Sequence, residues 1–154
     1  MINHKERAIE LFKQGYNCAQ SVFGAFSEDL GVDFKTAVKT SSSFGAGMGR
    51  LREVCGAVSG MFMVVGYKYG YTDPKDYAAK TEHYKLIQEL ANKFKEITGS
   101  IICRELLGLN EKSSSPVPEI RTASYYKKRP CAELVGIAAR IVEEIINKNK
   151  KTEE

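Results

Sequence analysis

The stretch from Val54 to Tyr67 carries no charged residue, and between Cys55 and Gly66 its one hydroxyl is Ser59. A helix that is apolar on every side must be surrounded by other elements. The run is also shorter than the ~20 residues needed to cross a bilayer, so no membrane insertion is expected. It predicts the central helix of a helical bundle. Gly56 and Gly60 lie four apart on one face of that helix. Glycine costs about 1 kcal/mol in a helix relative to alanine, so two on one face predict close approach of another backbone or a ligand.

The neighbouring segments have one apolar stripe each. His4 to Gln14 reads as a helix stopped by Gly15. Asn17 is a good N-cap for the next, whose Ala19, Val22, Phe23, Phe26 and Leu30 recur at helical spacing before Gly31. Asp33 caps a third, with Phe34, Ala37, Val38 and Ser41 on one face. Gly45 to Gly49 reads as a flexible turn; it lacks the lysine and strand context of a phosphate loop. Asp73 followed by Pro74 reads as a helix start, with Tyr77, Tyr84, Ile87, Ala91 and Phe94 inward as far as Thr98. Ser100 caps a short piece through Leu107, and 109–129 reads as a loop. The last helix opens at Pro130, with Leu134, Ala138, Ile141 and Ile145 inward and a frayed tail over 148–154. The expectation is one all-α domain over 1–154, a bundle of about six helices around the central one.

The net charge is +4, from 23 basic and 19 acidic side chains. That excess is mild, and its main clusters, Lys127 to Arg129 and Lys148 to Lys151, read as solvated surface rather than a nucleic-acid footprint. A small anion such as phosphate near Arg129 is the sharper alternative. The first residues are polar and charged, without a secretory apolar core, so the expected location is cytoplasmic. Free thiols rather than structural disulfides follow from that compartment.

The four cysteines, Cys18, Cys55, Cys103 and Cys131, contain no Cys-x-x-Cys pair, which argues against a thioredoxin-like motif or a zinc ribbon. Their placement is more informative. Each falls at a predicted helix start, where unpaired N–H groups and the helix dipole favour a thiolate. Cys18 and Cys131 are the expected nucleophiles, because their helix starts are the best defined and Lys127, Lys128 and Arg129 precede Cys131. Cys55, opening the most apolar helix, is expected to be shielded and suited to resolve or ligate.

The runs Gly15 to Gln20 around Cys18, Cys55 to Gly60, Cys103 to Gly108, and Cys131 at the last helix start together resemble the C_GCAxxG_C_C family of redox-active proteins. The resemblance extends from Gly15 to about Ile146 and implies that all four cysteines belong to one site. It also implies that Gly56, Ala57 and Gly60 belong to the family motif and contact any cofactor. A related domain occurs in multihaem cytochromes of the split-Soret type, for which an iron–sulfur centre has been proposed. This chain has no Cys-x-x-Cys-His, so covalent haem is not expected.

Three functions follow. The first is electron transfer through an iron–sulfur cluster held by four thiolates, with a redox partner the sequence does not identify. The second is thiol–disulfide exchange without a cofactor. The third is a structural zinc site or an interaction module with inert cysteines. His4 and His83 read as surface residues, Arg50 and Arg52 as solvated charge unless one of them stabilises a thiolate. Tyr67, Tyr69 and Tyr71 read as packing, and Glu105 and Glu133 as first-turn residues favoured by the dipole.

Overall fold

The computed structural model describes residues 3–153. Among them are eight right-handed α-helices: α1 His4–Lys13, α2 Cys18–Leu30, α3 Phe34–Ser41, α4 Gly56–Tyr69, α5 Tyr77–Thr98, α6 Cys103–Leu106, α7 Ala123–Lys128 and α8 Cys131–Glu153. Caps explain several boundaries. The Asn17 side chain accepts from the Gln20 N–H at 2.9 Å while the Gln20 side chain accepts from the Asn17 N–H at 3.0 Å, a reciprocal capping box. Asp33 caps α3 through the Thr36 N–H at 3.0 Å. Gly31 closes α2 in the left-handed conformation, φ 69°.

The core forms where α2 packs against α1, α3, α4 and α8, and where α4 packs against α8. The first six residues of α4, Gly56 to Met61, are all buried, and so are Val64 and Val65. The apolar run is thus the internal helix, although Tyr67 at its far end is exposed. Phe12, Val22, Phe26, Phe94 and Ile141 of the neighbouring helices are buried in the same core.

The α2–α4 contact is close because both glycines face it. A methyl group on Gly56 would lie 2.9 Å from Cys18 Cβ and 3.1 Å from the Ala19 nitrogen. One on Gly60 would lie 2.9 Å from both the Ala19 carbonyl oxygen and Val22 Cβ. Real Cβ atoms do not approach backbone that closely, so side chains larger than hydrogen would separate the helices.

Several local expectations need correction. Asp73 does not cap α5. Its side chain bonds the Lys75 N–H at 2.9 Å in a tight turn, and Asp76 caps the helix through the Ala79 N–H at 3.0 Å. Tyr77 and Tyr84 face solvent, and Leu90 and Phe94 form the buried stripe of α5. Ser100 bonds the Ile102 N–H and the Glu105 carboxylate, so α6 begins later than expected, at Cys103. The segment 109–129 contains α7, capped by Thr122. The tail from Lys148 remains helical through Glu153, since no breaker interrupts it. His4 is buried, stacked on Phe26 at 4.2 Å between ring centroids. Its nitrogens contact Asp29 of α2 at 2.5 Å and Glu143 of α8 at 2.8 Å. His83 is half-buried against Tyr71.

Among the described residues no helix is long and apolar enough to cross a membrane.

The two α4 glycines at 60 and 66 should respond oppositely to alanine. Gly60→Ala meets α2 backbone and should cost about 1–3 kcal/mol. Gly66 has nothing within 4 Å of an added methyl, so Gly66→Ala should gain up to about 1 kcal/mol from helix propensity. Urea midpoints of the two variants check this.

Candidate functional site

Local structure gathers the cysteines in steps. Cys18, Cys103 and Cys131 are the first residues of α2, α6 and α8, and Cys55 immediately precedes α4. A single antiparallel β-bridge between Val54 and Ile102 ties the start of α4 to the start of α6. The Cys55 N–H donates to the Ile101 carbonyl at 2.8 Å, and the Cys103 N–H to the Glu53 carbonyl at 2.6 Å. Cys18 lies against Gly56, the neighbour of Cys55. The Cys18 and Cys131 thiols face each other closely enough to couple in titration. All four side chains are buried, none is in a disulfide, and all four line one cavity of about 250 Å³.

The cavity walls are mixed. Phe12, Leu106, Leu107, Pro116, Pro118 and Leu134 supply apolar surface. Arg50, Arg52, Arg121 and Arg129 supply positive charge, and Glu119 is the one carboxylate among the lining residues. Of the motif residues Gly56, Ala57 and Gly60, only Gly56 lines the cavity. Gly60 is packing against α2, and Ala57 contributes its N–H to the surroundings of the Cys55 sulfur.

Arg50 and Arg52 reach the cavity through unusual backbone. Ala46, Gly47, Met48, Gly49 and Arg50 are consecutive left-handed residues, and Arg52 is another. The expected flexible turn is therefore a defined left-handed turn, closed by the Gly49 N–H to the Gly45 carbonyl at 2.9 Å and the Glu53 N–H to the Gly47 carbonyl at 2.9 Å. Left-handed conformations cost roughly 1–2 kcal/mol for each residue with a Cβ. Such strain concentrates at functional sites. Arg52 is buried rather than solvated, and it donates to the Cys103 sulfur at 3.6 Å and to the Ser114 hydroxyl at 3.0 Å.

The segment from Leu109 to Thr122 lies over this site as a strap. Arg50 holds it by donating to the Ser115 carbonyl at 2.5 Å, and the Ser114 N–H returns a bond to the Arg50 carbonyl at 2.8 Å. Arg121 anchors its far end, donating to the Phe12 and Tyr16 carbonyls and stacking on the Phe12 ring at 4.2 Å. Those carbonyls are at the end of α1 and just beyond it, and the Phe12 oxygen also accepts the Gly15 N–H at 3.1 Å.

The thiols are electrostatically unequal. The Cys131 thiol is held below its ordinary range by the Cys18 hydrogen bond and by Arg129, Arg52 and Arg121, which together outweigh burial. Cys18 is pushed well above its range because it keeps the shared proton and is buried. Burial pushes the Cys55 thiol up to about 12 against the pull of the Ala57 and Val58 N–H groups. Burial also raises Cys103, with Arg52 working against it. The two thiols expected to be nucleophilic are thus shifted in opposite directions, Cys131 down and Cys18 up, although both stand at helix starts. Arg121 and Glu119 had no signal in the sequence, since Phe12 and Tyr16 for the one and Arg50 and Arg52 for the other are distant in the chain.

In reduced, metal-free protein, alkylation should modify Cys131 first, with a pH midpoint below the ordinary thiol value, and Cys18 and Cys55 last. Cys18→Ala, which removes the proton donor, should raise the Cys131 midpoint more than Arg129→Gln does. Mass-spectrometric alkylation rates against pH check both.

A protein of Archaeoglobus fulgidus described as uncharacterized is 27% identical over 147 residues, covering 89% of this chain and 89% of its own length. No solved structure matches the chain. Residues 16–145, which include all four cysteines, match the family described as "Putative redox-active protein (C_GCAxxG_C_C)", and the chain belongs to that family.

Proposed function

We propose that this protein transfers electrons through an iron–sulfur cluster held by Cys18, Cys55, Cys103 and Cys131. The observation that carries the reading is the convergence of four buried thiols on one cavity of about 250 Å³. Four thiolates are the usual ligand set of such a cluster. Among the described residues no three Cys, His, Asp or Glu side chains are gathered tightly enough for a single metal ion. Zinc bonds of about 2.3 Å would hold tetrahedral sulfurs about 3.8 Å apart. A polynuclear group is larger than one ion, and the cavity of about 250 Å³ between the four thiols leaves room for it.

The charge of the walls supports the same reading. A thiolate-ligated cluster is anionic, and four arginines against one glutamate make this cavity cationic. When bound, the cluster supplies one-electron oxidation and reduction. The chain's own residues do the rest. The α2–α4 contact fixes Cys18 beside Gly56. Arg52 donates to the Cys103 sulfur, which draws electron density from a ligand and favours the reduced state. The apolar wall and the strap limit water.

A second reading is favoured by the pairing of Cys18 and Cys131 on one cavity wall, with one thiol raised and the other lowered. In thiol–disulfide exchange, the Cys131 thiolate would attack a partner disulfide and release one partner sulfur as thiolate. Cys18, giving up its proton, would then attack Cys131 in the mixed disulfide and release the second. Two electrons pass to the partner, and a Cys18–Cys131 disulfide remains.

Anaerobic reconstitution with iron and sulfide separates the two readings. The cluster reading expects a visible chromophore with bound iron, and loss of most of both in each single Cys→Ser variant, because a missing thiolate leaves an under-coordinated metal. Protein that takes up no iron, but forms a Cys18–Cys131 disulfide on mild oxidation, supports exchange and overturns the cluster.

A further inference from the structure

At the mouth of the cavity three guanidinium groups share one carboxylate oxygen. Arg129 contacts Glu119 Oε1 at 2.6 Å, Arg52 at 3.8 Å and Arg50 at 3.9 Å. The three side chains are only 18%, 5% and 16% exposed, whereas Glu119 is 39% exposed and sits on the strap. Their remaining contacts are neutral: the Ser115 carbonyl for Arg50, the Ser114 hydroxyl and Cys103 sulfur for Arg52. Neutral partners orient a guanidinium without cancelling its charge. Buried cations normally have matching anions. Here three of them meet one carboxylate, and Arg129 and Arg52 also act on the Cys131 sulfur, which leaves the three short of balance even with that thiol ionised. The carboxylate is the most exposed member of the group.

We propose that Arg50, Arg52 and Arg129 form a binding site for a small divalent oxyanion, and that Glu119 is its built-in surrogate, displaced when the ligand arrives. A carboxylate already occupies the point where the guanidinium donors converge, so the site is shaped for an oxygen anion. Planar guanidinium forks recognise such groups with paired hydrogen bonds. A dianion would compensate the three cations better than Glu119 alone does. The bound ion would sit at the entrance to the thiol cavity, since Arg129 is two residues before Cys131 and Arg52 touches the Cys103 sulfur. It would also free Glu119, one of the holds on the strap. The site consists of guanidinium groups alone, so it goes beyond the cluster reading and does not depend on it.

The probe is inorganic sulfate, titrated calorimetrically into the reduced, metal-free full chain at low chloride. Glu119→Gln removes the internal competitor and should tighten sulfate binding about tenfold. Arg129→Gln should weaken it at least about tenfold, as loss of a charge-assisted contact requires. Two controls separate site binding from a general change in charge. Glu111→Gln alters another strap carboxylate, which accepts from Ser114 at 2.8 Å, and Lys127→Gln alters an exposed cation of α7. Each should change the affinity less than about twofold, as exposed charges do. Circular dichroism checks that each variant folds, and Glu119→Gln carries the test if Arg129→Gln does not fold. The proposal is overturned if wild-type and Glu119→Gln protein both fail to bind sulfate. It is also overturned if Glu119→Gln behaves like Glu111→Gln, or a folded Arg129→Gln like Lys127→Gln. Iron binding by the cysteines is measured separately, so failure here leaves the cluster reading standing.

Discussion

The approach of α2 to α4 is the contact on which the rest of the site depends. Gly56 and Gly60 let the two helices meet with backbone atoms nearly touching. That places Cys18, the first residue of α2, beside the residue that follows Cys55. The Val54–Ile102 bridge then brings Cys103 to the same end of the bundle, and the packing of α8 on α2 and α4 brings Cys131. Four cysteines from widely separated positions thus meet through ordinary helix packing, one pair of small residues and a single bridge. The glycines give up helix propensity, roughly 1 kcal/mol each, for that proximity.

A second constraint is charge. Thiols buried among apolar side chains stay protonated, and Cys55 illustrates it. Arg129 just ahead of α8, with Arg52 of the left-handed turn and Arg121 of the strap, helps to change that balance at Cys131, and Arg52 opposes it at Cys103. The strained turn earns its place by aiming Arg50 and Arg52 inward. The strap closes over them and contributes Glu119. The cysteines therefore come from helix starts, and the cations from the irregular backbone around them, Arg52 three residues before Cys55 and Arg129 two before Cys131.

This division explains what the sequence disclosed. The internal helix was legible because an uncharged run has few other places to go, and the glycine pair because its spacing matches one helix face. The caps at Asn17 and Asp33 were legible because the partners lie three residues away. Arg52 was misread as solvated because its hydroxyl partner, Ser114, is 62 residues distant. His4 was misread for the same reason: its carboxylates come from α2 and α8, the second of them 139 residues away. Asp73 gave a valid cap signal that a local turn took instead, with Asp76 three residues on supplying the same chemistry. Periodicity and capping report contacts within a few residues, whereas Arg50, Arg52 and Arg121 are held by hydrogen bonds to partners 62 or more residues away.

The central claim is that the four cysteines act as one redox centre. Iron X-ray absorption spectroscopy of protein purified without oxygen tests it most directly. A first shell made only of sulfur, together with an iron–iron scattering path, is the predicted spectrum. A shell of nitrogen or oxygen ligands, or iron atoms without an iron neighbour, would contradict it.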